Sequence, residues 1–257
     1  MLKRTRGFSL IELIVTVGIV ATLAAVLGAA GWKVYERSSL AISASNIRQL
    51  SVGAAAYLGE NNNVFWPYCA AGPEPRGVTW WFGYEPPGSS SLPEGRRIIR
   101  PEAGPLGGYV PMSIRPDPGL KLSGRAFKPK YKFGYIGIGY NVLLGGNWSG
   151  LEPRINVLTL EKPGEIVVFT TSAQVNTFQK PASGSNPMLE EFYGIDQREV
   201  TVHGRNAGYA MVGFANGSAG FLPIDPSTID QRAPKANVGR FAPSGSTKYL
   251  LNQTNNN

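Results

Sequence analysis

The sequence predicts an α+β fold with one long amino-terminal helix packed on a small antiparallel β-sheet head that has long irregular loops. Residues 8–60 contain no proline and begin with an apolar run that continues as an amphipathic pattern. The whole chain of 257 residues is rich in turn formers, with 32 glycines and 20 prolines. Its carboxy-terminal half carries short β-branched runs separated by turn residues, which is typical of antiparallel strands.

The first half of the predicted helix is a candidate membrane span. Residues 8–31 read FSLIELIVTVGIVATLAAVLGAAG, with Glu12 as the single charge. About 20 apolar residues in a helix cross a hydrocarbon core about 30 Å thick. Lys3, Arg4 and Arg6 precede this run, and positive residues tend to stay in the cytoplasm. We therefore expect a single pass through a membrane, with the amino terminus cytoplasmic and the head on the outer side.

Two other interpretations of this segment stay open. A secretory signal peptide would combine the basic start with small residues near Gly28, but its apolar region usually has about 7–15 residues. An ordinary membrane anchor would have no reason to keep Glu12, because a charge at the centre of a membrane helix costs about 2.5–3.5 kcal/mol. A carboxylate at this position is expected to have a function and a partner.

Cleavage after Gly7 would supply that partner. The new terminus would be the amine of Phe8, four residues before Glu12 and on the same helical face. A buried ammonium and a buried carboxylate would neutralise each other, within one subunit or between neighbours. The pair would then set the register in which subunits assemble.

The run KRTRGFSLIE at residues 3–12, followed by the apolar stretch, resembles the class III signal of type IV prepilins and type II secretion pseudopilins. The resemblance implies that a membrane prepilin peptidase cuts after Gly7 and methylates Phe8, and that Glu12 aligns subunits in a helical filament. The implied partners are the peptidase, other pilin or pseudopilin subunits and the inner membrane. Many pilins have a proline where this chain has Ala29.

Residues 32–60 predict an amphipathic continuation of the helix into the head. Leu40, Ile47 and Ala54 share one heptad position, and Leu50 and Tyr57 share another. The polar residues are expected between or opposite these positions: Arg37, Ser43, Asn46, Arg48, Gln49 and Ser51. This pattern predicts a helix that lays one stripe against a globular domain.

Residues 61–126 predict a Gly/Pro/aromatic-rich loop region. Between Pro67 and Arg125 there are eleven prolines and ten glycines, so no long helix can form there. Several tryptophans and tyrosines indicate an ordered excursion rather than a disordered linker. Short strands are expected around residues 78–84 and 108–112.

Residues 127–232 predict a β-rich head. In residues 127–133 three lysines alternate with rings, a period of two that puts the lysines on one face. Residues 155–160 and 165–171 are β-branched runs, and the runs 208–214 and 218–222 flank an Asn-Gly pair, a strong hairpin signal. After Pro223 the apolar pattern fades, so residues 233–257 are predicted to form a loose tail.

The head also resembles that of a large group of bacterial pseudopilin-like proteins. They share a "YGYN" segment, a proline-x-Glu-hydrophobic strand and a carboxy-terminal His…Asp-Gly hairpin. The corresponding segments here are residues 135–146, residues 162–169, and His203 through Gly217. Asn216 stands where that group has the Asp. More residues separate it from His203 than separate the corresponding Asp and His in that group.

The composition argues against most catalytic and metal-dependent classes. A single cysteine, Cys69, excludes an internal disulfide framework, a Cys-based zinc site and a CxxC pair. A single histidine, His203, leaves little acid/base chemistry near neutral pH. We therefore expect no enzyme activity and no cofactor, with Cys69 a partly buried unpaired thiol and His203 a turn or hydrogen-bonding residue.

Two charged groups suggest binding sites that we weigh against simpler interpretations. Glu190, Glu191 and Asp196 suggest a calcium site, but their spacing does not fit an EF-hand, so a solvated acidic surface is favoured. Removing the three basic residues before Phe8 lowers the formal net charge from +8 to +5. Much of the remainder lies between residues 96 and 132, where a solvated strand face is favoured over a nucleic-acid contact because no binding motif accompanies it.

Three function hypotheses follow. The leading one is a non-enzymatic pseudopilin that assembles into a periplasmic filament, with a type II secretion pseudopilus favoured over a surface pilus. The second is a membrane-anchored exported hydrolase or carbohydrate-binding head, in which three aromatic residues would stack on sugars: Trp80, Trp81 and Trp148. The third is a DNA-binding minor type IV pilin that contacts phosphates through Lys128, Lys130 and Lys132.

Overall fold

The computed structural model describes residues 9–110, 117–120, 126–132 and 137–251. It divides into two compact units, of which the first ends at Leu40 and the second begins at Ala41. One continuous helix, α1, runs over Leu10–Glu60, as the sequence predicts. The predicted start at Phe8 lies outside the described residues.

Thirteen strands occur within these ranges. They are β1 (Cys69–Ala71), β2 (Val78–Trp80), β3 (Gly83–Glu85), β4 (Phe127–Lys128), β5 (Ile138–Asn141), β6 (Val167–Thr171), β7 (Ala173–Asn176), β8 (Met188–Glu191), β9 (Gly194–Ile195), β10 (Val202–His203), β11 (Tyr209–Phe214), β12 (Ala219–Pro223) and β13 (Val238–Gly239).

The strands form four sheets: β12-β11-β6-β5-β9, β4-β8-β7, β1-β2-β3 and β10-β13. Most neighbouring strands are antiparallel, but β4 pairs with β8 and β5 with β9 in parallel. The α+β prediction is confirmed, while the head contains several small sheets instead of one. Parallel pairs need long connections, and the long loops of this chain supply them.

The second unit buries one stripe of α1 against the main sheet. Ile47, Leu50 and Ala54 belong to the principal hydrophobic core. Ser43, Asn46 and Ser51 are also buried, although the sequence pattern placed them between or opposite the apolar positions. They lie on the same stripe because residues three and four apart share a helix face. This stripe is therefore more polar than the heptad pattern predicts.

The loop region is pinned by aromatic residues, as predicted. Trp66 is fully buried and stacks on Tyr140 and Phe169, with ring centroids 5.1 and 5.7 Å apart. The strands expected around residues 78–84 are present as β2 and β3. Residues 108–110 form a turn instead of the expected strand, and residues 111–112 lie outside the described ranges.

Two other strand predictions are wrong or only partly correct. The β-branched run 155–160 contains a short 3-10 helix, Val157–Thr159, because the Asn156 side chain caps it by accepting the N–H of Leu158 at 2.9 Å. In the described part of the alternating run, residues 127–132, the only strand is the two-residue β4, since Pro129 has no N–H to continue a ladder.

The Asn-Gly hairpin prediction is confirmed. β11 and β12 pair antiparallel around residues 215–217, and Gly217 adopts a φ of +83° that the turn requires. β11 also pairs with β6, so this hairpin forms one edge of the five-stranded sheet.

The predicted loose tail is wrong for residues 233–251. Val238 lies in β13, which pairs with β10, and Phe241 and Leu250 are buried. The N–H of Val167 donates to the carbonyl of Tyr249 at 2.9 Å. The segment packs against the head although its apolar residues follow no regular spacing. Such a spacing is not needed, because the buried residues contact several different elements. Residues 252–257 lie outside the described ranges.

Candidate functional site

Helix α1 begins with a capping box. The N–H of Ile11 donates to Oγ of Ser9 at 3.3 Å, and the N–H of Ser9 donates to Oε2 of Glu12 at 2.9 Å. Each side chain thus satisfies a backbone donor that the helix itself cannot pair. The Glu12 carboxylate is therefore held beside the backbone nitrogen of Ser9, the residue that follows Phe8. Gly7 and Phe8 lie outside the described residues.

The first turns of α1 form a candidate membrane span. Among the described residues, one window is long and apolar enough to cross a membrane, Leu10–Leu27, and none of its residues is buried. The Thr16 hydroxyl donates to the carbonyl of Glu12 at 2.9 Å and the Thr22 hydroxyl to that of Gly18 at 2.8 Å. These side chains need no other partner in lipid. Glu12 carries the only charge of the window.

The head contains a fully buried ion pair that the sequence did not indicate. Nη1 of Arg205 lies 2.8 Å from Oδ2 of Asp117, and both side chains are almost completely inaccessible. Nη2 of Arg205 donates to the carbonyls of Gly137 and Ser172 at 2.7 and 3.0 Å. The Ser43 hydroxyl of α1 donates to the same Asp117 carboxylate. The pair therefore joins α1 to the segments that flank the ends of β5 and β6 in the main sheet.

His203 is buried in β10 beside this ion pair. Nε of Arg205 donates to Nδ1 of His203 at 3.2 Å. Burial, and then the positive charge of Arg205, hold the pKa of His203 well below its usual range. The neutral imidazole acts as a hydrogen-bonding residue, as predicted, but it lies in a strand and not in a turn. Its burial keeps it from contact with an external substrate.

A second polar cluster lies where β4 meets β8. The parallel register places Lys128 opposite Glu190, and Nζ of Lys128 lies 2.9 Å from Oε1 of Glu190. Nζ of Lys130 lies 3.9 Å from the same oxygen. Asn176 donates its Nδ2 N–H to Oε2 of Glu190 at 2.9 Å. Burial alone would raise the pKa of Glu190, but Lys130, Asn176 and Lys128 together hold it below its usual value.

Glu191 of the same strand is completely buried. Its Oε1 accepts the backbone N–H groups of Lys130 and Tyr131 at 2.8 and 3.1 Å. Burial raises the pKa of Glu191 to about 7 despite these hydrogen bonds. Burial also lowers the pKa of Lys130 from its ordinary value, against the attraction of Glu190.

This cluster corrects two expectations from the sequence. The solvated acidic surface is wrong for Glu190 and Glu191, because both are buried. The solvated lysine face is wrong for Lys128, which is buried against Glu190, and for Lys130, whose side chain is 16% exposed and lies near the same carboxylate. Asp196 lies apart from them and accepts the indole N–H of Trp148. Within the described ranges, no group of three His, Cys, Asp or Glu side chains could hold a metal ion.

The burial of Lys128 and the partial burial of Lys130 also remove most of the surface that the DNA-binding hypothesis needs. Of its three lysines only Lys132 is exposed. Lys128 contacts Glu190 and Gln179 inside the head, so its ammonium is not available to phosphates.

The three candidate sugar-stacking tryptophans do not form an open platform. Trp81 is buried and donates its indole N–H to the carbonyl of Tyr193 at 2.6 Å. Trp148 packs edge-on against Tyr68, with centroids 4.9 Å apart. Trp80 donates to Glu85 at 2.9 Å. All three are used to pack and orient the loop region.

Cys69 is a half-buried free thiol, as predicted. Its Sγ lies 3.2 Å from the carbonyl of Trp148, and burial raises its pKa. A raised thiol pKa lowers the thiolate fraction and therefore the reactivity near neutral pH.

Three residues that form ion pairs inside the head were missed from the sequence: Asp117, Arg205 and Glu85. The Glu85 carboxylate accepts two hydrogen bonds from the Arg97 guanidinium, at 2.8 and 2.9 Å. No local pattern indicates them, because each partner lies on a different segment. The only available signal was an Arg two residues after the single His.

Comparison with known proteins identifies the amino-terminal segment. Residues 2–28 match the prokaryotic N-terminal methylation motif. No curated protein and no solved structure matches the chain significantly. The match covers the residues predicted for cleavage, methylation and assembly, while those roles of Gly7, Phe8 and Glu12 stay predictions. The amino-terminal segment therefore carries a prokaryotic N-terminal methylation motif, which supports its resemblance to the amino termini of type IV prepilin precursors.

Proposed function

We propose that this protein is a non-enzymatic pseudopilin that assembles into a periplasmic filament of a type II secretion system. The peptidase cuts after Gly7 and methylates Phe8, and the mature subunit is anchored by the apolar part of α1. The head carries no cofactor and serves as a structural and contact module.

The observation that carries the proposal is the methylation motif over residues 2–28, joined to an apolar span whose only charge is Glu12. A carboxylate in lipid is expensive unless a cation neutralises it. The amine of Phe8 is the cation that processing would create, four residues before Glu12 in the sequence. Lys3, Arg4 and Arg6 favour a cytoplasmic amino terminus, which puts the head on the outer side.

The choice of a secretion pseudopilus over a surface pilus rests on the head. Residues 135–146 resemble the "YGYN" segment of pseudopilin-like proteins, and residues 162–169 resemble their proline-x-Glu strand. The single cysteine also provides no carboxy-terminal disulfide pair.

The proposal is tested by the intact mass of the protein purified from membranes of a host with an active prepilin peptidase. The expected product begins at Phe8, has lost seven residues and carries one added methyl group. A host without the peptidase should yield the full-length chain, and so should a Gly7→Leu variant in the active host. A product that begins near Gly31 would instead identify a signal peptide, and an uncut chain in the active host would identify a plain anchor.

The secretion assignment has its own test. Deleting the chain from its native host should stop the release of secreted enzymes while surface pili persist. Loss of pili with intact secretion would reverse the assignment and leave the processing result unchanged.

A further inference from the structure

A lysine, a carboxylate and a side-chain amide meet inside the second polar cluster, in the sheet β4-β8-β7. Nζ of Lys128 donates to Oε1 of Glu190 at 2.9 Å, and Nδ2 of Asn176 donates to Oε2 of the same carboxylate at 2.9 Å. Lys128 is 6% exposed and Glu190 1%, and Asn176 is completely buried. Glu190 therefore bridges an amine and an amide at a place that is almost closed to solvent.

The amine and the amide share a second neighbour. Oε1 of Gln179 accepts from Nζ of Lys128 at 3.2 Å and from Nδ2 of Asn176 at 3.3 Å. The two nitrogens therefore lie within hydrogen-bond reach of one oxygen as well as of one carboxylate. Lys128 belongs to β4 and Asn176 to the end of β7, so a bond between them would join the two outer strands of this sheet.

The amide group of Asn176 is arranged for attack at its carbonyl carbon. Its Oδ1 accepts the backbone N–H groups of Phe178 and Gln179, each at 3.0 Å. Two N–H donors on a carbonyl oxygen stabilise the negative charge that develops there when a nucleophile adds to the carbon. The other end of the amide, Nδ2, is held by Glu190, which can protonate it as it leaves.

Glu190 is also placed to activate the amine. An ammonium group is not a nucleophile, so a proton must first pass from Nζ of Lys128 to Oε1 of Glu190. The charged pair is the resting form of the site. The neutral pair forms transiently, and burial favours this transfer because it removes two charges from an environment with little solvent.

We propose that Lys128 and Asn176 form an intramolecular isopeptide bond, with Glu190 as the general base and general acid. Nζ of Lys128 bonds to Cγ of Asn176, and the Cγ–Nδ2 bond breaks with its electron pair on nitrogen. Two of the three ammonium protons pass by way of Glu190 to the leaving nitrogen, which departs as ammonium. The exchange of one amide for another needs no oxidant, reductant or cofactor.

Proximity makes this reaction feasible within one chain. Groups held in contact react as if at very high concentration, and each chain needs to react only once. Nζ has to move from the oxygen of Gln179 to Cγ of Asn176, and the flexible four-carbon stem of lysine permits such a shift. Lys130 is the poorer nucleophile, since its Nζ lies 3.9 Å from Oε1 of Glu190 and its side chain is 16% exposed.

The bond would serve the head as a covalent brace. With the single cysteine Cys69, the chain cannot form an internal disulfide. A link from residue 128 to residue 176 would restrict the unfolded chain in the same way that a disulfide does. The inference concerns the head alone and does not depend on the proposed filament function.

The test is the intact mass of the full chain, purified in detergent and incubated in the folded state. We expect the parent protein to be lighter than its sequence by the mass of one ammonia molecule. A succinimide at Asn216, which precedes a glycine, would give the same loss, so a tryptic digest must locate the bond. The expected product is a branched peptide that joins residues 126–130 to residues 155–198, with fragmentation placing the link on Lys128 and Asn176.

Three variants separate the chemistry from the fold. Lys128→Arg keeps a positive charge beside Glu190 but removes the nucleophile, and Glu190→Gln removes the base, so both should retain the full mass. Lys132→Arg changes an exposed lysine of the same segment and should lose ammonia as the parent does. Near-ultraviolet circular dichroism of the buried tryptophans checks that each variant is folded.

The parent chain decides the question even if a variant fails to fold. A folded parent protein that keeps its full mass overturns the proposal, and so does loss of ammonia that persists in Lys128→Arg. A branched peptide linked through Lys130 or Gln179 overturns the assignment to Lys128 and Asn176. Each of these results leaves the processing at Gly7 and the proposed function unchanged.

Discussion

At the scale of single residues, Glu12 has two separable roles. Its carboxylate caps α1 by accepting the Ser9 N–H, and its charge is proposed to meet the amine of Phe8. Glu12→Gln keeps an acceptor for the cap but removes the charge. We expect this variant to be processed normally and to lose filament assembly, as measured by intact mass and by the yield of sheared filaments.

Ser9→Ala is the complementary control. It removes half of the capping box, which typically stabilises a helix by about 0.5–2 kcal/mol, but it leaves the Glu12 charge in place. We expect it to assemble. Native-like assembly of Glu12→Gln together with failure of Ser9→Ala would show that Glu12 acts as a helix cap only.

Glu191 provides a pH-dependence at the same scale. Its pKa is raised to about 7 in the folded head, so the folded state holds the proton more tightly than the unfolded chain. Its contribution to stability is full below the unfolded pKa, near 4.5, and is lost as pH rises to about 7. The difference corresponds to a few kcal/mol at most.

Glu191→Gln should abolish this contribution while its oxygen still accepts the N–H groups of Lys130 and Tyr131. We expect thermal melts between pH 5 and 8 to show that the variant gains stability relative to the parent as pH rises. The stability of the parent is subtracted from that of the variant at each pH. This comparison sets aside the rise of stability with pH that His203 and Glu190 cause in both proteins, since their pKa values are lowered. Parallel pH profiles of the two proteins would contradict the assignment.

At the scale of elements, the contact of α1 with the main sheet depends on Gly213 of β11. A Cβ there would lie 2.6 Å from Oγ of Ser51 and 3.2 Å from Cγ2 of Ile47, so the sheet could not approach the helix as closely. Gly213→Val should destabilise the head by about 1–3 kcal/mol, the usual cost of overpacking. Urea unfolding of the detergent-solubilised protein measures it.

The neighbouring strand supplies the control for that substitution. A Cβ at Gly220 of β12 would meet only the Phe214 ring, at 3.7 Å. Gly220→Val should therefore be neutral or slightly stabilising, since valine favours strands. Equal losses at both positions would show that strand glycines matter for another reason than the approach of α1.

At the scale of the whole molecule, the carboxy-terminal segment completes the head. A chain that ends at Arg232 loses β13 and the buried Phe241 and Leu250. Each buried apolar side chain contributes about 1.5–3 kcal/mol, so Tm should fall by roughly 10 °C or more. Circular dichroism of the detergent-solubilised protein checks this, with a chain that ends at Leu251 as the control. An unchanged Tm would mean that the segment merely rests on the surface.

The sequence by itself determined the apolar amino-terminal helix, the methylation motif and the Asn-Gly hairpin. These features are local: a span needs contiguous apolar residues, a peptidase reads a short segment, and a tight turn needs glycine at one position. The tertiary structure alone decided that Lys128 pairs with Glu190, that Asp117 pairs with Arg205 and that residues 233–251 are packed. All three depend on segments that are far apart in the chain. For the two ion pairs the reason is that a buried charge is costly until a partner, here from a distant segment, neutralises it.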